Sequence, residues 1–424
     1  MDLKRVLSSL GIENSADIVS EHWCESEACF PDTIPRLLVP EQITSTREFS
    51  WLPSEADGIL QAAALRIVAS QELLHLAWHC RQVTYGHLDY HSRKLGQWPI
   101  LTEALGDLSG AFYLLVGLEA IPRMLNVHRS LGVSERVSRD SCSHFPEATD
   151  RYREHHGGRF GFLPRALYWL RNHTKGDLYR LGRLEYMVKP FHGKLNAYRH
   201  RVTRDVIALA EPGMRLDGDG LAARGVPGED AWTTTQELDG TVVRGHAISP
   251  RGFVQKRENC LDLADWDVVL SPGDPVLETH IPAGGNMTPE SCRDSMAQAL
   301  EFFPRIFPDK PFVGFACGSW ILNPELDRIY RPDSNMVLWQ RELYLFPIPT
   351  GSRAGIYFVF GREDVDPATA PRDTSLRRAL LDHLSKGGRL IGGAMFMLLE
   401  EFPHFGTQVY RRQWEEFKGM GLVP

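Results

Sequence analysis

The chain has 424 residues, 43% of them hydrophobic and 24% charged, the make-up of an ordinary globular protein with core material for about two or three domains. A formal net charge of −7 excludes the broad basic face of a nucleic-acid binder. Seven scattered cysteines, an odd number, exclude a disulfide framework and fit free thiols in a reducing cytoplasm.

Cys24 and Cys29 are the only close pair, with no second pair beside them. The start, MDLKRVLSSLG, lacks the sustained apolar region of a signal peptide. The most apolar run, 111–122, is too short to cross a bilayer and holds Glu119, so no membrane association is expected.

The first 150 residues are expected to be helical. Residues 53–86 follow a Ser54 cap with Ile59, Leu60, Ala63, Ile67 and Leu74 at helical spacing. A second helical block follows Pro99, with Pro122 placed to kink it. Residues 134–158 form a polar connector to another helix near FLPRALYWLRNHTKG.

After Gly176 the pattern turns to strands: DLYRLGRLEYMVKPF, TVVRGHAISPRGFV at 241–254, PVLETHIP, and PFVGFACGSWIL at 311–322. A helix over 288–303 separates the last two. YLFPIP and GIYFVFG are expected to make a hairpin, followed by a helix at 373–386 and the Gly-punctuated segment RLIGGAMFMLLEEF. The fold class is α+β: a helical domain over 1–150, then a mixed, mostly antiparallel sheet with flanking helices over 151–424.

The stretch PVLETHIPAGGNMTPESCRDSMAQALEFF places two glycines between a strand and a helix. Thr288 suits the N-cap, Pro289 the first helical position, and Glu290 and Ser291 the first turn. Gly284 and Gly285 either make a tight turn or let an anion approach the positive helix end. Alternation along the strand puts Glu278 and His280 on one face, either as a general base with its partner or as a strand-end cap and a structural ion pair.

Other clusters carry less. Glu72, His75 and His79 share a helix face, but the Glu of a zinc-protease motif is missing between the histidines, and satisfied helix histidines account for them. GRLIGG lacks the context of a dinucleotide site. Cys317 has no His–Asn/Asp arrangement around it and reads as a buried thiol. RHRVTR at 199–204 reads as the solvated face of a strand. Arg183 and Glu185 are a substrate-facing pair or a structural ladder, with nothing to separate the two.

Together, YRLGRLEY, LETHIPAGGNMTPESCRDSMAQALEFF, FACGSWILNPEL and SNMVLWQREL resemble a bacterial family that joins a helical N-acyltransferase N-terminal domain to a GNAT-like C-terminal domain. The resemblance is strongest over 178–346. It implies an acyltransferase that takes the acyl group from acyl-CoA or acetyl-CoA, or from an acyl-carrier protein, and passes it to an amine on a small molecule. The implied donor loop is Ala283, Gly284, Gly285, Asn286, Met287 and Thr288, where backbone amides would meet the CoA pyrophosphate.

Two strands are expected to splay beside this loop and admit the thioester. Glu278 or His280 is the implied base, and Ser319 or Tyr330 the implied proton donor to the leaving thiolate. Ser319 also fits a strand-end hydrogen bonder, and Tyr330 a surface helix residue. No metal is expected. The usual Gln/Arg-x-x-Gly-x-Gly/Ala phosphate loop is absent: Gly-Gly replaces it, a carrier-protein arm makes it unnecessary, or the chain is a non-catalytic GNAT-fold ligand- or partner-binding protein. Trp51, Trp78 and Trp98 are expected to pack over the acceptor side of the strands.

Overall fold

The structure, a computed structural model, describes residues 1–222, 228–362 and 364–423. It divides into two compact units, Met1–Leu181 and Gly182–Pro424. The division falls later than the sequence places it because the helices after residue 150 belong to the helical core. Phe145, Ala148, Phe162, Leu167 and Leu170 all pack into it.

In the first unit, the helical stretch 53–86 forms two helices, Ala56–Val68 and Gln71–Gly86. Ser54 does not cap the first. Ser70 caps the second, accepting from Leu73 N–H (3.2 Å). The polar connector is itself helical over Glu135–Asp140 and His144–His155.

The helix Ser109–Leu118 is buried along its whole length, which explains its apolar sequence. The longer stretch Thr102–Ser130 is apolar enough to pass as a membrane span, yet 78% of its apolar window is buried among neighbouring helices. Trp98 is buried in this same core, so its surface is already used within its own unit.

The strands are β1 (Tyr179–Leu181), β2 (Leu184–Pro190), β3 (Leu195–His200), β4 (Val206–Ala210), β5 (Arg215–Leu216), β6 (Trp232–Thr233) and β7 (Gln236–Asp239). They continue with β8 (Val242–Ile248), β9 (Val254–Asp262), β10 (Trp266–Leu270), β11 (Pro275–His280), β12 (Gly314–Ser319), β13 (Tyr344–Pro347) and β14 (Gly393–Leu398).

In the second unit one sheet runs β10-β3-β4-β8-β7 with β9 also on β8, antiparallel throughout. The C-terminal helix Val409–Gly419 covers it, with Trp414 and Phe417 against Tyr198, Ile207, Leu209 and Trp266. The other sheet contains the run β2-β11-β12-β14-β13. The expected hairpin is absent: β13 pairs with β14 at the far end of the chain, and Ile356–Phe360 is a short helix. That helix packs with Leu380, Leu381 and Leu390 in a small separate cluster.

Candidate active site

The site grows from β11, the helix Pro289–Ile306 and β12, a strand–helix–strand unit. A parallel pair needs such a crossover. β11 and β12 are its product, parallel to one another between antiparallel neighbours. Their ladder lasts two residue pairs, Leu277↔Phe315 and Glu278↔Ala316. β11 meanwhile continues along β2 to His280↔Glu185, and β12 continues along β14 to Ser319↔Gly393. Each strand thus keeps its outer neighbour while the two part from each other. Beyond Glu278 and Ala316 the sheet opens into a V, the splay expected from the resemblance.

Glu278 and His280 stand on one face of β11 at the mouth of this V, with Glu278 Oε2 3.5 Å from His280 Nε2. The same face of the ladder carries Glu185 and Met187 on β2, and Ala316 on β12. The imidazole beside it, with Lys189 and His192 helping, holds the Glu278 carboxyl below the usual carboxylate range, while partial burial works the other way. Glu185, which sequence alternation left between two roles, lies buried directly across the ladder from His280.

The β12 side of the opening is lined by small residues. Gly318 is exposed, and a Cβ added there would meet only Ile348 Cδ1, at 3.7 Å. Burial, and then the Glu278 charge, push the Cys317 thiol up to about 12, so it stays protonated and is no nucleophile.

The loop after β11 ends on the helix as the local sequence dictates. Thr288 Oγ1 accepts from Ser291 N–H (3.1 Å), and Ser291 Oγ donates back to the carbonyls of Asn286 (3.1 Å) and Thr288 (2.9 Å). Gly284 and Gly285 both take left-handed backbone, φ +73° and +68°, which only glycine adopts without strain. Ala283 through Asn286 are exposed and Met287 is buried, anchoring the arch.

Arg183 lies against this arch. Its Nη1 donates to Pro282 O (2.9 Å), and its Nε is 3.6 Å from where a Gly285 Cβ would sit. Burial pushes the Cys292 thiol in the first turn up to about 11, with the Arg183 guanidinium pulling the other way. A guanidinium, two left-handed glycines and a helix N-terminus therefore converge on one patch. The sequence placed Arg183 beside Glu185 and missed the loop, since 99 residues separate Arg183 from Pro282.

The other two candidates are engaged elsewhere. Ser319 Oγ accepts from Ile321 N–H (3.4 Å) and caps the turn that leaves β12. Tyr330 ends the short helix Leu326–Ile329 in extended backbone, and its hydroxyl pairs with Ser375 Oγ (2.8 Å). Its neighbour Ile329 packs on the separate cluster around Leu380.

Three further groups are structural. Arg199 of the basic run is buried against Glu401 (2.6 and 2.7 Å). His75 Nδ1 lies 2.7 Å from Glu27, and His79 Nδ1 lies 2.9 Å from Ser26 Oγ. The two helix histidines thus point to separate partners.

Comparison with known proteins bears on the fold and the family. No curated protein matches the chain. Among solved structures, an acyltransferase mutant in complex with octanoyl-CoA shares the fold at a TM-score of 0.63 and 21% identity, over 94% of this chain and 100% of that one. An acyltransferase in complex with decanoyl-CoA and teicoplanin, and one with CoA and 10C-teicoplanin, give the same figures. Residues 47–176 match the N-acyltransferase N-terminal domain. Residues 178–395, a little over half of the chain, match the GNAT-like C-terminal domain, and the protein therefore belongs to that family.

Proposed function

We propose that the protein transfers an acyl group from acyl-CoA to an amine on a small-molecule acceptor. The observation that carries this reading is the parallel pair β11–β12, which opens after two residue pairs beside Glu278 and His280. The neutral amine attacks the thioester carbonyl carbon. A C–N bond forms, the amine proton passes to a base, and the C–S bond breaks as the tetrahedral intermediate collapses. The proton then goes to the departing thiolate, restoring the base. Main-chain N–H groups where the ladder opens are suited to the oxyanion.

His280 is the better base of the pair. A carboxylate held below its usual range takes up a proton weakly, which leaves the base role to the ring beside it. Glu278 then orients the ring and stabilises its charged form. Arg183, Gly284, Gly285 and the helix N-terminus suit the CoA pyrophosphate. The fold shared with acyltransferases crystallised with octanoyl-CoA, decanoyl-CoA and teicoplanin supports a medium-length acyl chain and an acceptor of the glycopeptide kind. The free cysteines support a reducing cytoplasm as its location.

Calorimetric titration with decanoyl-CoA and with decanoyl-pantetheine, followed by thiol release on adding a glycopeptide amine, tests the reading. Tighter binding of the CoA thioester and amine-dependent thiol release are expected. Equal binding of the two donors would transfer the donor role to a carrier protein. Binding of neither at millimolar concentration would leave a partner-binding protein without acyl transfer.

A further inference from the structure

The helical unit holds a second constellation, remote in sequence from the acyl site. His22 precedes the helix Trp23–Ala28, Glu25 lies in its first turn, and His87 follows the C-terminus of Gln71–Gly86. His22 Nδ1 lies 3.1 Å from Glu25 Oε1, and His87 Nε2 lies 3.2 Å from Glu25 Oε2. One ligand atom from each residue falls within 4.8 Å of the other two.

We propose that His22, Glu25 and His87 bind one divalent transition-metal ion of the zinc type, clipping the two helices together. An ion about 2.1 Å from each donor in tetrahedral array needs donors roughly 3.4 Å apart, so the three ligand atoms, within 4.8 Å of one another, close onto it by rotation of their side chains. Two imidazoles and one carboxylate favour zinc, cobalt, nickel or copper over magnesium or calcium, which take all-oxygen shells. Three protein ligands leave the fourth position to water.

The surroundings hold the ligands in place. His22 keeps left-handed backbone, φ +62°, uncommon for a residue with a Cβ. Its carbonyl accepts from Ser26 Oγ (3.1 Å), and the Glu25 carbonyl accepts from Cys29 Sγ (3.3 Å). The His22 ring stacks on His87 at 3.7 Å between centroids, with Tyr90 edge-on at 6.3 Å, and an ion bound in the plane of both rings requires this stack to open. The ring of His87 is half-buried, whereas the Glu25 side chain is open to solvent, which gives an ion a way in. Sequence spacing could not reveal the set, because His87 joins it only through the packing of the two helices.

The test is titration of the metal-free full-length protein with zinc chloride, read by calorimetry and by thermal unfolding. Binding of one equivalent with Kd below about 10 µM and a raised Tm are expected. His87→Ala should abolish both effects, the Tm being compared with that of the same variant in chelator. Glu25→Gln, at an exposed position, should weaken binding by more than about tenfold, and Cys24→Ser should leave it unchanged. With cobalt, wild type should show the intense visible bands of a four-coordinate ion. Absence of binding, or binding that both His87→Ala and Glu25→Gln leave intact, would overturn the proposal.

Discussion

The two sheets of the second unit treat their charged residues in opposite ways. In the sheet of β3, β4 and β8 the arginines of β3 and of the turn after it are paired with carboxylates. Arg199, with 6% of its side chain exposed, is bonded to Glu401 and also meets Glu400 at 3.0 Å. Arg201 pairs with Asp267 (2.9 Å), and Arg204 with Glu400. The Arg199–Glu401 and Arg204–Glu400 pairs fasten the sheet to the turn after β14. In the sheet of β11 and β12 the ladder opens, and Glu278, with 38% of its side chain exposed, faces the opening beside His280. Buried, matched charge such as Arg199–Glu401 serves structure. Charge beside an open ladder is available to a ligand.

The contrast is broken most forcefully at the open sheet. Glu278→Gln keeps the side-chain shape and removes its charge, and His280→Ala removes the ring. Each should lower turnover by about 10²–10⁴ with donor affinity and Tm nearly unchanged. Full activity in Glu278→Gln together with its loss in His280→Ala would leave the imidazole acting alone. Parallel loss of rate and donor binding would reduce both residues to a binding role.

The sheet of β3, β4 and β8 should respond in the other currency of measurement, stability. Arg199→Ala leaves Glu401 buried without its partner, and unfolding in denaturant should show a loss of about 3–5 kcal/mol. Activity per folded molecule should not change. A loss of activity at unchanged stability would mean that this ion pair serves the site after all.

Gly285→Val lies between these extremes. The left-handed φ costs the fold about 1–2 kcal/mol, and the added branch intrudes on the arch beside Arg183. Affinity of the folded fraction for CoA should fall by more than about tenfold, judged against a pyrophosphate contact of charge-assisted strength. Unchanged CoA affinity would remove the pyrophosphate from this loop.

The smallest effect is in pH. Glu278 has a folded-state pKa below its unfolded value, so its contribution to stability is present above the unfolded pKa and is lost as pH falls through the folded one. The stability difference between wild type and Glu278→Gln should shrink as pH falls below roughly 4.3. A difference that stays unchanged as pH falls through the acid range would contradict the His280–Glu278 pairing.

Much of this was legible in the sequence because it is local. The Thr288 cap, the Gly-Gly arch and the Glu278/His280 face follow from neighbouring residues and the two-residue period of a strand. What escaped was non-local. Nothing in YLFPIP says that its partner is β14 rather than the next apolar run, and a short apolar segment such as IYFVF fits strand or helix until its packing partners are known. Arg183 and Glu185 reach the site only through the antiparallel register of β2 with β11. Ser319 and Tyr330 drew attention by residue type and place in the chain, and the structure engages their hydroxyls in a turn and with Ser375.

The central claim is that the thioester lies in the V between β11 and β12, and Gly318 tests it most directly. Its φ is not in the left-handed region, and an added Cβ meets only Ile348 at ordinary contact distance, so Gly318→Leu should fold with a Tm near wild type while filling the opening. Titration of decanoyl-CoA into the two proteins is the decisive measurement. A loss of affinity of more than about tenfold in Gly318→Leu, the cost of closing a site on a ligand that cannot repack, is the predicted result. Equal affinity in a folded Gly318→Leu protein would place the acyl donor elsewhere.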